Sequence, residues 1–357
     1  MSMTVYLDSA ASTRIDDRVW EHMISLRNVY GNASCSHAMG REARDIIEDA
    51  REIIAKRINA EPCEIIFVSS GTHANNLAIA QAGVHILTTA TEHVSLLEPV
   101  INSGLDYTIL PVNEQGLVNT HDIEDAICHD TDLISVIGAS NELGTLNNIA
   151  AIGEIAKWHG CLFHSDCIAM LPHMDVDVKS LGLDLASFAS HKLHGPKGIG
   201  ALYVSKKISV NPLIHGGGSW SGLESGTQNT IGIAGFAKAV EILEHDSKAM
   251  ELTNVLERGI LERIPIARIN NPSRGLPILS VCFLGVDGRE LVQRLSDNGI
   301  YTSQWSCSNR GVSHILEAVG LSRDEAGSSV RFSPSKHTAA EEVDFVVETL
   351  AGLLNPA

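Results

Sequence analysis

The sequence is short of positive charge and lacks any long apolar run. It holds 26 Lys and Arg residues against 43 Asp and Glu residues, so its net charge at neutral pH is −17. This excess argues against non-specific binding to nucleic acid or to anionic membrane surfaces, although a local basic patch would still be compatible with it. No apolar stretch approaches the roughly 18 residues of a membrane-spanning helix. The first eight residues have no basic segment followed by an apolar core, so we predict no secretory signal.

Paired cysteine motifs are also missing. The seven cysteines are scattered, odd in number and form no Cys-x-x-Cys motif, which indicates free thiols in a reducing compartment and predicts a cytoplasmic protein. The chain has no internal repeats, no low-complexity tract and no GxxxxGK[ST] phosphate loop. Its 357 residues are 44% apolar and 19% charged. These values are ordinary for a folded protein and suit one large domain with a smaller one.

Short apolar stretches alternate with helical patterns over the first two thirds of the chain. This alternation predicts an α/β fold with a mainly parallel sheet covered by helices on both faces. The predicted strands are 64–68, 84–88, 133–137, 161–165, 183–188 and 200–204, and the predicted helices between them include 76–82 and 149–159. In such sheets ligands bind at the carboxyl ends of the strands, so the polar residues that follow the strands are the candidate site residues.

The pattern changes to an α+β arrangement after about residue 245. Strands are predicted at 277–283 and 300–302, and helices at 288–297, 313–319 and 340–354. We therefore expect a large domain over residues 15–245 and a small domain made of residues 1–14 with 246–357.

The segment 69–76 (SSGTHANN) follows a strand and opens a helix. Small residues, hydroxyls and backbone N–H groups at a helix N-terminus can hold a phosphate. On its own, however, this segment fits an ordinary helix cap at least as well.

The segment 161–167 (CLFHSDC) resembles a metal site in composition but not in geometry. Side chains alternate along a strand, so the two cysteines and His164 with Asp166 lie on opposite faces, and we predict no metal site. Asp166 ends the strand, where its carboxylate could meet a ligand cation. A helix cap is an equally good interpretation of this aspartate from the segment alone.

The segment 187–203 places a lysine after a buried strand, between two histidines. A lysine there is a candidate for a lowered pKa and for a Schiff base, as with pyridoxal phosphate. A surface lysine that binds phosphate or pairs with an acid is the alternative, and the spacing does not choose Lys192 over Lys197. Taken together, Lys192, Asp166 and segment 69–76 supply the amine, the carboxylate and the phosphate cup that this cofactor needs.

The segment 305–311 (WSCSNRG) is a polar loop in the predicted small domain. Arg310 would favour the thiolate form of Cys307, which is the nucleophilic form. Most of the other cysteines lie in apolar or strand-like segments that are typical of inert thiols, with Cys35 and Cys128 less certain.

Nearly the whole chain resembles the cysteine desulfurases, which are pyridoxal-phosphate enzymes of fold type I in the class V aminotransferase superfamily. The matching segments are 6–13 (YLDSAAST), 31–34 (GNAS) with His37 and Gly40, 91–93 (TEH), 141–145 (NELGT), 191–198 (HKLHGPKG), 215–218 (HGGG), 225–227 (SGT), Cys307 and 330–333 (VRFS).

The resemblance implies a role for each matching site residue. Lys192 would carry the cofactor and move the Cα proton, Asp166 would pair with the ring nitrogen and keep it protonated, and His93 would stack on the ring and act in proton transfer. Asn141 would contact the cofactor or the substrate carboxylate. The resemblance assigns the phosphate to Gly71, Thr72 and His191, together with Thr227 from the partner subunit of a homodimer.

The resemblance further implies that Arg331 binds the carboxylate of L-cysteine. Cys307 would take the substrate's sulfur as a persulfide, releasing alanine, and would pass it to an acceptor protein that docks near the Cys307 loop. Family members serve iron–sulfur assembly, transfer-RNA thiolation or DNA phosphorothioation, and the sequence does not choose among these pathways. Taken singly, His93, Asn141 and Arg331 also have ordinary structural interpretations.

Several positions depart from the family pattern. Ala169 stands where a glutamine is usual, Ala189 where a serine is usual, Glu224 where an arginine is usual, and His73 where a glutamate is common. The segment between Cys307 and residues 313–316 is also short. We expect weaker retention of the cofactor. Two alternatives stay open, namely another reaction of the same fold (selenocysteine lyase, aminotransferase or a kynureninase-like hydrolase) and an inactive member that serves as a dimeric partner protein.

Overall fold

A computed structural model describes residues 3–217, 225–245, 247–305 and 311–354. The strands are β1 (Val5–Tyr6), β2 (Ile65–Val68), β3 (His85–Thr89), β4 (Asp106–Leu110), β5 (Thr131–Ser135), β6 (Leu162–Asp166), β7 (Leu185–Ala189), β8 (Gly200–Val204), β9 (Ala267–Ile269), β10 (Leu279–Phe283), β11 (Ile300–Tyr301) and β12 (Ser329–Phe332). The helices are α1 (Asp17–Ser25), α2 (Ala38–Arg57), α3 (Gly71–Ile79), α4 (Val94–Ile101), α5 (Thr120–Ala126), α6 (Ile149–His159), α7 (Thr230–Glu241), α8 (Lys248–Arg263), α9 (Gly288–Asp297), α10 (His314–Ala318), α11 (Arg323–Gly327) and α12 (Ala340–Leu354).

The main sheet has seven strands in the order β2-β8-β7-β6-β5-β3-β4. The four pairs from β7 to β4 are parallel, and β8 runs antiparallel to both of its neighbours. The prediction of a mainly parallel sheet is therefore confirmed. The sequence analysis missed β4, because this edge strand is mostly exposed and polar at Asp106 and Thr108 and so lacks the apolar run of a buried strand.

Both faces of this sheet are covered, as predicted. Alternate residues of one strand enter different apolar clusters: Ile65 and Phe67 join α2, α6 and α7 on one face, and Ile66 and Val68 join α3 and α4 on the other. The two-residue period of a strand sends its side chains to opposite faces, so a strand buried on both sides is apolar throughout.

Helix ends follow local capping rules. Helix α6 has the predicted bounds because Asn148 caps its start and Gly160 ends it in the left-handed conformation. Helix α3 begins at Gly71, five residues before the predicted start at 76. The Oγ atom of Ser70 accepts from the N–H of His73 at 3.1 Å and so starts the helix earlier.

A second apolar core joins the beginning of the chain to its last third. Val5 and Leu7 pack with residues of α8, α9, α12 and the sheet β12-β10-β9, and β1 pairs in parallel with β11. The division into domains at 14/15 and 245/246 stays a prediction. Within the described ranges, no helix is both long and apolar enough to span a bilayer.

Gly153 allows α6 to pack against the backbone of a neighbouring turn. A Cβ atom there would overlap the carbonyl oxygen of Leu181, so Gly153→Ala should lower the free energy of unfolding by about 1–3 kcal/mol. Gly352→Ala in α12 is the control, because a Cβ atom at that exposed glycine meets nothing. It should raise stability by up to about 1 kcal/mol through helix propensity. Denaturant unfolding measures both, and equal effects would contradict the packing argument.

Candidate active site

A cavity of about 320 Å³ lies at the carboxyl ends of β6 and β7, and its size is typical of a small-ligand site. It brings together most of the predicted site residues. The predicted residues that line it are Gly71, Thr72, His93, Asn141, Asp166, His191, Lys192 and Arg331. The chain folds them together because the strand ends, the N-termini of α3 and α4, and the end of β12 meet at one edge of the main sheet.

Lys192 lies in a short 3₁₀ turn, Ser190–Lys192, directly after β7. Its Nζ atom donates to the backbone carbonyl oxygens of Ala10 and Ala11 near the start of the chain. Lys197 is exposed and is not among the described residues that line the cavity. Of the two lysines between which the sequence does not choose, the structure thus places Lys192 in the cavity.

Asp166 is the last residue of β6 and is 3% exposed. Burial raises the pKa of its carboxyl, and the side-chain amide of Asn75 opposes this rise. The Oδ2 atom accepts from Asn75 Nδ2 at 2.8 Å, and Oδ1 accepts from the backbone N–H of Ile168 at 2.9 Å. Asp166 therefore has two fixed donors, which favour the charged form of a buried carboxyl.

His93 caps the N-terminus of α4 with its ring. The Nδ1 atom accepts from the backbone N–H of Ser95 at 3.1 Å and lies 2.7 Å from the Oγ atom of the same serine. Burial, followed by the nearby Lys192 ammonium, lowers the pKa of His93 to about 4. At neutral pH the ring is uncharged and carries its proton on Nε2.

Arg331 and Asn141 form the opposite side of the cavity. Arg331 Nη1 donates to the backbone carbonyl of Asn141 at 2.9 Å, and Nη2 donates to Asp8 Oδ1 at 2.9 Å and to Ser303 Oγ at 2.8 Å. Two buried atoms, Arg331 Nε and Asn141 Oδ1, have no hydrogen-bond partner among the described residues. Arg331 therefore has an acidic partner in Asp8, and hydrogen-bonding capacity remains beside it at Nε.

The predicted phosphate residues gather around the start of α3. Gly71 and Thr72 form its first turn, where a Cβ atom at Gly71 would overlap Ile168. The His191 Nδ1 atom lies 3.4 Å from Ser12 Oγ, and burial and the Lys192 charge lower the pKa of His191 to about 4. Thr227 is not among the described residues that line the cavity and instead borders a groove beside Ser69.

Comparison with known proteins adds an independent observation. A family model described as "Aminotransferase class-V" matches residues 5–346. Cysteine desulfurase IscS of Clostridium botulinum is 37% identical over 377 aligned positions, which cover 99% of this chain and 95% of the relative. The chain belongs to the cysteine desulfurase family.

Two solved structures agree with this membership. A "NIFS-LIKE PROTEIN" is 36% identical with a TM-score of 0.92, and the alignment covers 99% of this chain and all of the other. A structure described as "SspA in complex with cysteine" is 34% identical with a TM-score of 0.84, over 94% of this desulfurase and all of the other chain.

Two of the positions that depart from the family pattern belong to the same cavity. Ala169 and Ala189 both line it, and the Nδ1 atom of His73 contacts Ser69 Oγ at 3.2 Å. Cys307, Arg310 and Glu224 lie outside the described residues. In the described ranges no group of three His, Cys, Asp or Glu side chains could hold a metal ion.

Sequence reasoning assigned no role to Asn75, Ser95, Asp8 or Glu92 in this desulfurase. Asn75 lies within segment 69–76, Asp8 and Glu92 lie within the matching segments 6–13 and 91–93, and Ser95 lies in none of them. Their contacts join elements that are far apart in the sequence, so no local spacing signals them.

Glu92 is a buried carboxyl beside the site. It is 0% exposed, and burial raises its pKa to about 8. Its Oε1 atom accepts from Thr89 Oγ1 at 2.6 Å and from the N–H of Ile137 at 2.8 Å. The pKa of a glutamate in the unfolded chain is near 4.5. The contribution of Glu92 to the free energy of unfolding should therefore be fully present below that pH and be lost as the pH rises towards 8.

Glu92→Gln should remove this pH dependence because the amide cannot ionise. Between pH 5 and pH 8 the wild type should lose on the order of 2–4 kcal/mol relative to the variant. Denaturant unfolding at both pH values measures the difference. Glu154→Gln, at an exposed position, is the control and should show the same pH dependence as the wild type. If the free energies of unfolding of the wild type and Glu92→Gln differ by the same amount at both pH values, the raised pKa of Glu92 is contradicted.

Proposed function

We propose that this cysteine desulfurase uses pyridoxal phosphate to remove the sulfur of L-cysteine and holds it as a persulfide on Cys307. The observation that carries the proposal is the convergence of Lys192, Asp166, His93 and Arg331 on one cavity. A structure of the related SspA is described as a complex with cysteine, which supports the same substrate here.

The residues of the cavity fit this cofactor. The buried Asn141 Oδ1 atom has no partner among the described residues and can accept from, or orient, a polar group of the ring. The first turn of α3 offers backbone N–H groups to a phosphate, and Asp166 offers a buried carboxylate. When bound, pyridoxal phosphate supplies an electron sink for charge that develops at the substrate Cα atom.

Asp166 and Lys192 act on two different protons. The ionised Asp166 carboxylate, whose two oxygens are already oriented by Asn75 and Ile168, would accept a hydrogen bond from the ring nitrogen and so keep that nitrogen protonated. The Lys192 amine, held by the carbonyls of Ala10 and Ala11, is the base that moves the Cα proton. His93 presents Nε2–H because its Nδ1 lone pair is used.

Arg331 binds the substrate carboxylate. Three of its five N–H groups already bond to Asn141, Asp8 and Ser303, and Nε is left without a partner among the described residues. The three fixed contacts immobilise the guanidinium, so little side-chain entropy is lost when the carboxylate arrives.

The transfer of sulfur needs no external oxidant. The Cys307 thiolate attacks the sulfur of L-cysteine, an S–S bond forms, and the Cβ–S bond of the substrate breaks with its electrons going to the carbon side. Protonation of that carbon yields alanine, and Cys307 is left as a persulfide. The persulfide then passes its outer sulfur to an acceptor protein near segment 305–311.

We further propose a homodimer in a reducing, cytoplasmic setting. Thr227 is not among the described residues of its own cavity, which supports a role for it in the partner's site. The described cysteines are all free, at positions 35, 63, 128, 161, 167 and 282, as expected of a compartment that keeps thiols reduced.

Cys307→Ala should abolish sulfur transfer and leave the cofactor bound. After incubation with L-cysteine, mass spectrometry of the wild type should show one added sulfur on the peptide that contains Cys307. Cys63→Ala and Cys128→Ala, which remove exposed thiols, are the controls and should keep full activity. Sulfide release that persists at the wild-type rate in Cys307→Ala would refute the persulfide step.

The double variant Ala169→Gln, Ala189→Ser should hold pyridoxal phosphate more tightly than the wild type. Both alanines line the cavity, and each new side chain adds one hydrogen bond to the cofactor. We expect the dissociation constant to fall about 5- to 100-fold. Equilibrium dialysis followed by cofactor absorbance measures it, and an unchanged constant would show that the substitutions do not weaken retention.

A further inference from the structure

Asn75 lies behind the cavity and links two of its functional residues. It is on α3, one turn after Gly71, and its side chain is 0% exposed. It is not among the described residues that line the cavity. Its Nδ2 atom is 2.8 Å from Asp166 Oδ2 and 2.9 Å from Ser95 Oγ, so one amide group touches elements on both sides of the site.

The direction of each hydrogen bond follows from donor and acceptor chemistry. An ionised carboxylate only accepts, so one amide hydrogen of Asn75 goes to Asp166. The second hydrogen goes to Ser95 Oγ, which leaves the serine's own hydrogen free to donate to His93 Nδ1 at 2.7 Å. A flipped amide would place Oδ1 against the carboxylate, so the orientation of Asn75 is determined.

This arrangement leaves Asn75 Oδ1 buried without a hydrogen-bond partner among the described residues. An unsatisfied buried acceptor is unfavourable, and a leucine of similar volume would avoid it. Packing alone therefore does not account for an asparagine here. What the amide supplies, and leucine cannot, is a pair of donors aimed at Asp166 and Ser95.

We propose that Asn75 is a positioning residue of this site. Its two amide hydrogens keep the Asp166 carboxylate ionised and fix its position relative to the His93 ring. The proposal rests on the proposed desulfurase function for its catalytic consequence, but the hydrogen-bond network itself belongs to the protein without cofactor. The ionisable groups that interact with Asp166 include Lys192, from the turn after β7, and Glu92, from the segment before α4. Asn75 Nδ2 and the backbone N–H of Ile168 donate directly to the oxygens of Asp166.

The first experiment follows Asp166 in the protein without cofactor. The pKa of its carboxyl is read from the resonance of ¹³Cγ-labelled aspartate, assigned with Asp166→Asn. In Asn75→Leu we expect this pKa to rise, because a donor to the charged form is lost. Asn271→Leu is the matched control. Asn271 is 2% exposed and bonds to the backbone of Gln115 and Ser273, away from the cavity.

Asn75→Asp gives a sharper contrast at nearly constant volume. It replaces the donors by acceptors and adds a second carboxyl beside Asp166, so one of the two must take a proton at neutral pH. The pKa of Asp166 should then shift further than in Asn75→Leu. If either variant fails to fold, Asn75→Ala serves instead and should shift the pKa in the same direction, though less, since water can replace part of the lost contact.

The second experiment measures alanine formation from L-cysteine by the enzyme loaded with cofactor. For Asn75→Leu we expect kcat to fall about 10- to 100-fold with KM nearly unchanged, since Asn75 does not touch the substrate. Ser95→Ala should lower kcat without moving the pKa of Asp166, because it breaks only the His93 branch. Asn271→Leu should lower stability but leave both readouts as in the wild type.

The two experiments fail independently. An Asp166 pKa in Asn75→Leu equal to that in Asn271→Leu would overturn the role of Asn75, whatever the activity. If the pKa of Asp166 shifts in Asn75→Leu but the wild-type enzyme releases no alanine from L-cysteine, the proposed function is overturned and the hydrogen-bond network stands. Equal losses of kcat in Asn75→Leu and Asn271→Leu would reduce Asn75 to a structural residue.

Discussion

The burial of the Asp166 carboxylate is the constraint on which the site depends. A charge at the end of a central strand loses its hydration, and only oriented donors can keep it charged there. Asn75 and the N–H of Ile168 supply those donors. Asn75 can do so because Ser70 starts α3 at Gly71, which also brings the first turn of that helix to the cavity. One electrostatic requirement thus links the position of a helix, a capping serine and the edge of the sheet at which the cavity lies.

A second constraint connects the two ends of the chain. Arg331 is 1% exposed and pairs with Asp8, 323 positions earlier. A buried guanidinium must find partners for its N–H groups, and Asn141, after β5, and Ser303, after β11, supply the others. The same contacts hold the second core, in which Val5 and Leu7 pack against the last third of the chain. Arg331, for which we propose substrate binding, therefore also ties the N-terminal segment to the last third of the chain through Asp8.

Much of the fold was predictable because strand and helix signals are local. Strand β8 and helices α6, α9 and α12 have the predicted bounds, since apolar period and capping residues such as Asn148 lie within each segment. Strand β4 was missed because an exposed edge carries no apolar run. The antiparallel direction of β8 could not be predicted from its own residues either, because a strand buried on both faces has the same composition in either direction.

For the site, local sequence features identify the candidate residues: a lysine after a buried strand, an aspartate at a strand end, and the ordered motifs shared with the cysteine desulfurases. Tertiary structure decided which of them meet. It places Lys192, and not Lys197, in the cavity, pairs Arg331 with Asp8, and makes Asn75 the bridge between Asp166 and Ser95. The physical reason is that hydrogen bonds and desolvation act over a few ångströms in space, whereas these partners are separated by up to hundreds of positions along the chain.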